Sequence, residues 1–265
     1  MKWQDLTAPQ FEKAVKEVKG VCVMSIGCVE KHGDHLPLGI DFLNGFSNTC
    51  LAAEQEPAIV FPPYYFGQIH EARCFPGTVA IDPMMTIQLL MNVCDEIARN
   101  GLNKIIIYNA HGGNKSLIGY FLQILLAERK PYVVYFPPRV SPQWRLDEYN
   151  SILTTKYHGH ACECETSVSL ANHEHLVKMD ALKGRKADPL KRLSHLPGGS
   201  AVADWYADHP DHYAGDATAA TKEKGLKLRK LVVDSLADYI KAVKNDDVLP
   251  ALAKEFYDRC DQVGK

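Results

Sequence analysis

The chain has 265 residues, 46% of them hydrophobic and 23% charged, with a formal net charge of -2. That size and composition suit a globular fold with a real buried core, as one large domain or two small ones. The near-neutral balance gives no basic face for nucleic acid or for an anionic membrane surface. The longest apolar runs, "KIIIYNA" and "YVVYFPP", are strand-sized and too short to cross a bilayer.

The opening segment, "MKWQDLTAPQFEKAVKEV", is charged and helix-like with no apolar signal core, so a cytoplasmic protein is expected. "GVCVMSIG" (20–27) reads as a buried strand, and residues 41–54 carry apolar side chains at helical spacing. "AIVFPPYYFG" is a second strand, ended by its prolines. Asp82 and Pro83 then supply a cap and first turn for a helix whose apolar positions run from Met84 to Ala98 and which Gly101 ends. "NKIIIYNA" (103–110) is a third strand, Asn114 caps a helix running through Leu125, and "YVVYF" is a fourth strand. This alternation predicts a largely parallel sheet flanked by helices. Residues 184–220, rich in Gly, Pro, His and Asp, read as a long functional loop. From 222 onward Leu228, Val232, Leu236, Ile240 and Val243 mark an amphipathic helix, and a shorter one follows around 250–260. With no repeat and no linker, residues 1–265 are read as a single domain.

Eight cysteines form no CxxC pair and are read mostly as small buried apolar residues, with thiolate ligation by Cys162 or Cys164 the exception to test.

Three clusters carry chemistry. "VEKHGDHLPLGID" (29–41) follows the first strand and offers Glu30, His32 and Asp41, oxygen and nitrogen donors that suit zinc, manganese or iron. "NAHGGN" (109–114) follows the third strand and offers His111, with Gly112 and Gly113 allowing a close backbone approach. "HGHACECETS" (158–167) holds His158, His160, Glu163 and Glu165, while its Thr166 or Ser167 could equally cap a helix. Ligands of open parallel sheets bind outside the carboxyl ends of the strands, so two of the clusters belong on one edge and the third could join them.

The stretches "GCVEKHGDHLPLGID", "FPGT", "NAHGGN", "HACECETS" and "GDATAATKEKG", in this order from residue 27 to 225, resemble the motifs of the creatininase (creatinine amidohydrolase) family. The resemblance implies a three-layer α/β/α sandwich with a largely parallel central sheet. It also implies two divalent metal ions per chain, with zinc preferred over manganese or iron, and hydrolysis of a non-peptide C–N amide bond in a small molecule. Carried over residue by residue, Asp41 bridges the two metals, Glu30 and His111 complete one site, and His32 and Glu165 complete the other. His160 then donates the proton to the leaving nitrogen, and compact homo-oligomers, often hexamers, are expected.

The departures are specific. Creatininase itself has a glutamate for water activation two positions after the histidine matching His111, where this chain has Gly113; Glu163 is expected to take over as general base. Lys31 and Asp34 stand where glutamine and proline are commoner. Gly113 weakens creatinine as the substrate and leaves formamides open. Substrate contacts are expected from Gly77, Thr78, Gly112 and Gly113, with Trp205, Tyr206, His209 and His212 as further lining candidates. His35 and Asp34 are expected to orient ligands or line the rim, and Lys31 to face solvent. Two alternatives stand beside the amidohydrolase: a homologue that processes a peptide or deformylates in cofactor biosynthesis, and an inactive metal-binding sensor. A sensor needs no proton donor, which His160 supplies.

Overall fold

The computed structural model describes residues 1–264. Helix α1 (Ala8–Glu17) leads into strand β1 (Val21–Ile26), and helix α2 (Ile40–Gln55) into the short strand β2 (Ile59–Val60). Helix α3 (Pro83–Arg99), strand β3 (Lys104–Asn109), helix α4 (Asn114–Ile124) and strand β4 (Val133–Tyr135) continue the alternation. Helix α5 (Gln143–Ile152), strand β5 (His158–His160), helix α6 (Glu163–His173), helix α7 (Met179–Leu182), strand β6 (Lys186–Ala187), helix α8 (Asp204–Asp208) and strand β7 (Ala214–Asp216) follow. Helices α9 (Lys222–Lys244) and α10 (Val248–Cys260) close the described chain.

The central sheet has the order β2-β1-β3-β4, and every pairing in it is parallel. Its strands are apolar without a break because both faces are covered. Val21, Val23, Ile106 and Tyr108 face α2, α6 and α9 in one core. The alternate residues Cys22, Met24, Ile26, Ile105 and Ile107 pack with Leu90, Cys94, Ile97, Ile118 and Phe121 of α3 and α4 in the other. A two-residue side-chain period thus builds three layers, α/β/α, as expected. Among the described residues no helix is long and apolar enough to cross a membrane.

The Asp82 carboxylate caps α3 by accepting from the backbone of Met84 and Met85 at 2.9 and 3.0 Å. Asn114, in contrast, does not cap α4. Its side chain accepts from the Gln68 amide at 2.8 Å and donates to the Ile26 carbonyl at 3.3 Å, stitching the second cluster to the end of β1. Nor do Thr166 and Ser167 cap α6: that helix begins at Glu163, and both lie inside it, fully buried. The 184–220 stretch is not only loop either. β5, β7 and β6 form a second, antiparallel sheet in that order, each strand only two or three residues long. Strands that short leave no periodic signal in a sequence.

Candidate metal centre

The parallel register of β1 and β3 puts Ile26 opposite Asn109, so the segments carrying Glu30 and His111 leave the sheet side by side. Asp41 reaches them from the first turn of α2, seated directly on the end of β1. A Cβ on Gly27 would lie 2.5 Å from the Phe42 amide nitrogen, so only glycine permits this approach. His32 sits in a tight turn closed by a bridge to Leu36. β5 and α6 deliver His160 and Glu165 from the second sheet.

Glu30 and His32 are completely buried, and Asp41, His111 and His160 nearly so. His111 Nδ1 lies 2.6 Å from Glu30 Oε1 and 3.1 Å from Asp41 Oδ2, while His32 Nε2 lies 2.9 Å from Asp41 Oδ1. One carboxylate therefore offers one oxygen to each imidazole. The tautomer of His32 is constrained, since Nδ1 faces the Glu30 carbonyl oxygen at 3.3 Å and can only donate to it. The Nε2 lone pair then meets an Asp41 oxygen, an arrangement that needs a cation or an added proton between the two. Glu30 Oε1 and Asp41 Oδ2 are buried with no hydrogen-bond partner despite this crowding. Orphaned oxygens converging with imidazole nitrogens fit a divalent cation, and the O/N donor set suits zinc, manganese or iron.

The electrostatics agree. Burial alone would push the His32 pKa down, but Asp41 and Glu30 outweigh it and raise it to about 10. His111 is driven well up the same way: burial lowers it, and Glu30 and Asp41 more than compensate. A pocket that holds two imidazoles cationic is a pocket short of positive charge. Glu165, half-buried, shares a cavity wall with Asp41 and His111; burial raises its pKa, and its Oε2 accepts from the Ala161 amide at 2.6 Å. Glu30, His32 and His160 converge as one possible ligand set, and Cys28, Asp41 and His111 as another.

His160 stacks on His32 with ring centroids 4.2 Å apart. Its Nε2 donates to the Lys31 carbonyl at 2.8 Å and lies 3.7 Å from Glu30 Oε2, and the ring itself is not part of the cavity wall that Asp41, His111 and Glu165 share. Burial, above all, holds its pKa well below the ordinary value, which favours the neutral ring.

Glu163, the expected general base, does not join the cluster. Its carboxylate accepts from the amides of Thr154 and Thr155, from both hydroxyls and from Lys224 Nζ. Residues 163 and 165 point different ways because α6 turns them about 200° apart. Gly77 and Thr78 do not line the cavity either. The turn they form braces the first cluster: the Val79 amide bonds the Val29 carbonyl at 3.0 Å, and a Cβ on Gly77 would strike Leu38. Gly112 does line the cavity, whereas Gly113 is wedged between His111 Nε2 and Glu71. Lys31 lies over the Phe75 ring at 4.9 Å and beside Asp34 at 3.3 Å, not free in solvent. His35 braces the loop by donating to Thr166 Oγ1 at 2.8 Å, its pKa lowered to about 4 chiefly by burial.

Two residues have larger roles than their sequence context suggested. His212, considered only as cavity lining, contacts Glu30 Oε2 at 2.5 Å. Trp205 Nε1 donates to its Nδ1 at 3.0 Å, so Nε2 carries the proton and donates to the carboxylate. That Trp205–His212–Glu30 chain fixes the orientation of the Glu30 carboxylate from 182 residues away, with no local signal. Cys28 is the other. It sits beside His111 with its thiol pushed up to about 12 by burial, and it donates to the Gln68 carbonyl at 3.3 Å.

The chain is thus a parallel-sheet α/β sandwich whose strand ends carry a buried carboxylate–imidazole cluster of the kind that could hold a metal ion. The sequence profile described as "Creatininase: Creatinine amidohydrolase" matches residues 4–240, and the chain belongs to that family. It is 23% identical over 256 residues to the creatinine amidohydrolase of Pseudomonas putida, covering 89% of this chain and 95% of that one. It is 28% identical over 230 residues to the mycofactocin precursor peptide peptidase of Mycolicibacterium smegmatis, covering 84% and 85%. The solved structure titled "Creatininase Mn" superposes with a TM-score of 0.75 at 22% identity, covering 92% of this chain and 99% of its own.

Proposed function

We propose that the protein hydrolyses a non-peptide C–N amide bond in a small molecule, a cyclic amide or formamide, with two divalent metal ions held by Glu30, His32, Asp41, His111 and Glu165. The observation that carries this reading is Asp41, whose two carboxylate oxygens face two different imidazoles at 2.9 and 3.1 Å, one of those oxygens without a hydrogen-bond partner. When bound, such ions polarise a carbonyl and lower the pKa of water.

The chain's own residues do the rest. Asp41 sets the spacing of the two sites. The His212 N–H holds Glu30, and the Ala161 amide holds Glu165. His160, anchored to the Lys31 carbonyl with its Nε2 3.7 Å from Glu30 Oε2, is the imidazole that would pass a proton to the departing nitrogen. Such transfer contributes typically about 10²–10⁴-fold. With Glu163 committed to Lys224, no second general base is invoked. Zinc is the preferred ion and manganese the next, in a cytoplasmic homo-oligomer of which the hexamer is the favoured form.

A second reading, processing of a precursor peptide, is favoured by the higher identity, 28%, to the mycofactocin peptidase. A panel of creatinine, other lactams, aryl formamides and a peptide amide, assayed with metal-loaded protein, separates the two. Metal analysis should find two ions per chain in the wild type and a large loss in Asp41→Ala. Fewer than one ion per wild-type chain refutes the dinuclear centre. His160→Ala should abolish turnover with metal content intact; loss of metal as well would reassign His160 as a ligand.

A further inference from the structure

The cavity that opens on the centre has a volume of about 670 Å³, and Asp41, His111 and Glu165 form its floor. That is room for a drug-sized molecule, of which a formyl group or small lactam ring fills a fraction. The remainder would accommodate the body of the substrate, and the cavity wall carries two cations. Arg139 and Lys115 both line the cavity and are both exposed, and neither forms a hydrogen bond through its side chain or an ion pair among the described residues, although Arg139 is near enough to Glu165 for each charge to favour the other. Arg139 is nonetheless held in place, its guanidinium 5.4 Å from the centroid of the Tyr149 ring. Aromatic Tyr108 and Phe136 complete the wall.

Unpaired cations are unremarkable on an open surface but not when they share a concave site. The charge of the loaded centre adds to the argument, which rests on the two-metal reading above. Three carboxylates, Glu30, Asp41 and Glu165, together with one hydroxide would just balance two divalent ions, so the centre would leave the charges of Arg139 and Lys115 uncompensated. A guanidinium fork matches the paired oxygens of a carboxylate or phosphate, and a lysine adds a second point charge.

We propose that Arg139 and Lys115 form an anion-binding subsite, and that the substrate is an amide whose far end carries a carboxylate or a phosphate. The amide meets the centre, the flat body lies along Tyr108 and Phe136, and the anion reaches the two cations.

Equilibrium binding tests this directly. Titrating 4-formamidobenzoate, 4-formamidophenyl phosphate and neutral formanilide into the metal-loaded His160→Ala protein, which should not consume them, should show both anions binding at least about tenfold more tightly, as expected for one charge-assisted hydrogen bond. Adding Arg139→Gln and Lys115→Gln to that protein should bring the three affinities together, and salt should weaken the anions selectively. Equal affinities while Arg139 and Lys115 are both present overturn the subsite. So does an anion advantage that survives both substitutions, because the metal ions would then be holding the anion. Whichever of the two anions binds more tightly identifies the preferred head group. Turnover is scored separately. An anion preference with no hydrolysis of these formamides or of any lactam in the panel defeats the proposed reaction and leaves the subsite standing; hydrolysis without preference does the reverse.

Discussion

The carboxylate of Glu163 shows what a single buried charge does when folding claims it. Fully buried and satisfied by Thr154, Thr155 and Lys224, it has a pKa lowered to about 2 by those hydrogen bonds, which overcome the burial that alone would raise it. A depressed carboxylate contributes stability above its unfolded pKa and loses it as pH falls through the folded value. The ordinary value is 4.5, so the window runs from about pH 5 down to pH 2. Glu163→Gln should cost about 2–3 kcal/mol at pH 7 and flatten the acid limb, read by urea denaturation across that range. A variant as stable as the wild type at pH 7 would mean the network contributes nothing. Two positions on, Glu165 has no such cage and faces the cavity. The sequence "CECETS" contains both glutamates without distinguishing them.

At the scale of elements, the centre depends on how closely α9 crosses α6, the helix that carries Glu165. Gly225, last residue of the "GDATAATKEKG" stretch, sits at that crossing; a Cβ there would lie 1.8 Å from the Ser167 carbonyl oxygen and 2.4 Å from its carbon. Both obstacles are backbone, so no side chain can rotate away. Thr221, which caps α9, reinforces the contact through its amide to Ser167 Oγ at 3.2 Å. Gly225→Ala should therefore destabilise by about 3 kcal/mol or more, at the upper end for an overpacked core. It should also lower metal affinity, because α6 must move. Denaturant melts and metal titration read the two effects, and an alanine variant with wild-type stability would show that the helices are not in contact as described.

For the molecule as a whole, the centre is where four otherwise separate segments meet: the β1 loop, the start of α2, the β3 loop and α6. Ions bound only by the folded state stabilise it by mass action, by about 2.7 kcal/mol at a hundredfold excess over Kd. Stripping the protein with a chelator should thus lower Tm by on the order of 5–10 °C, and zinc or manganese should restore it. A melting temperature indifferent to both treatments would argue that the cluster does not hold metal.

The sequence by itself determined the layered α/β architecture, because unbroken apolar strands and 3.6-periodic helices are local patterns that dictate how each face must be buried. It also determined the donor types and their order along the chain, which carried the family resemblance and the five proposed ligands. What only the tertiary structure decided were relations across distance. His212 holds Glu30 across 182 residues of chain, Glu163 turns toward Lys224 across 61, and Asn114 spends its side chain on Gln68 and Ile26 instead of a helix cap. Side-chain direction and partner choice are set by packing among elements that are remote in sequence, and no local periodicity encodes them.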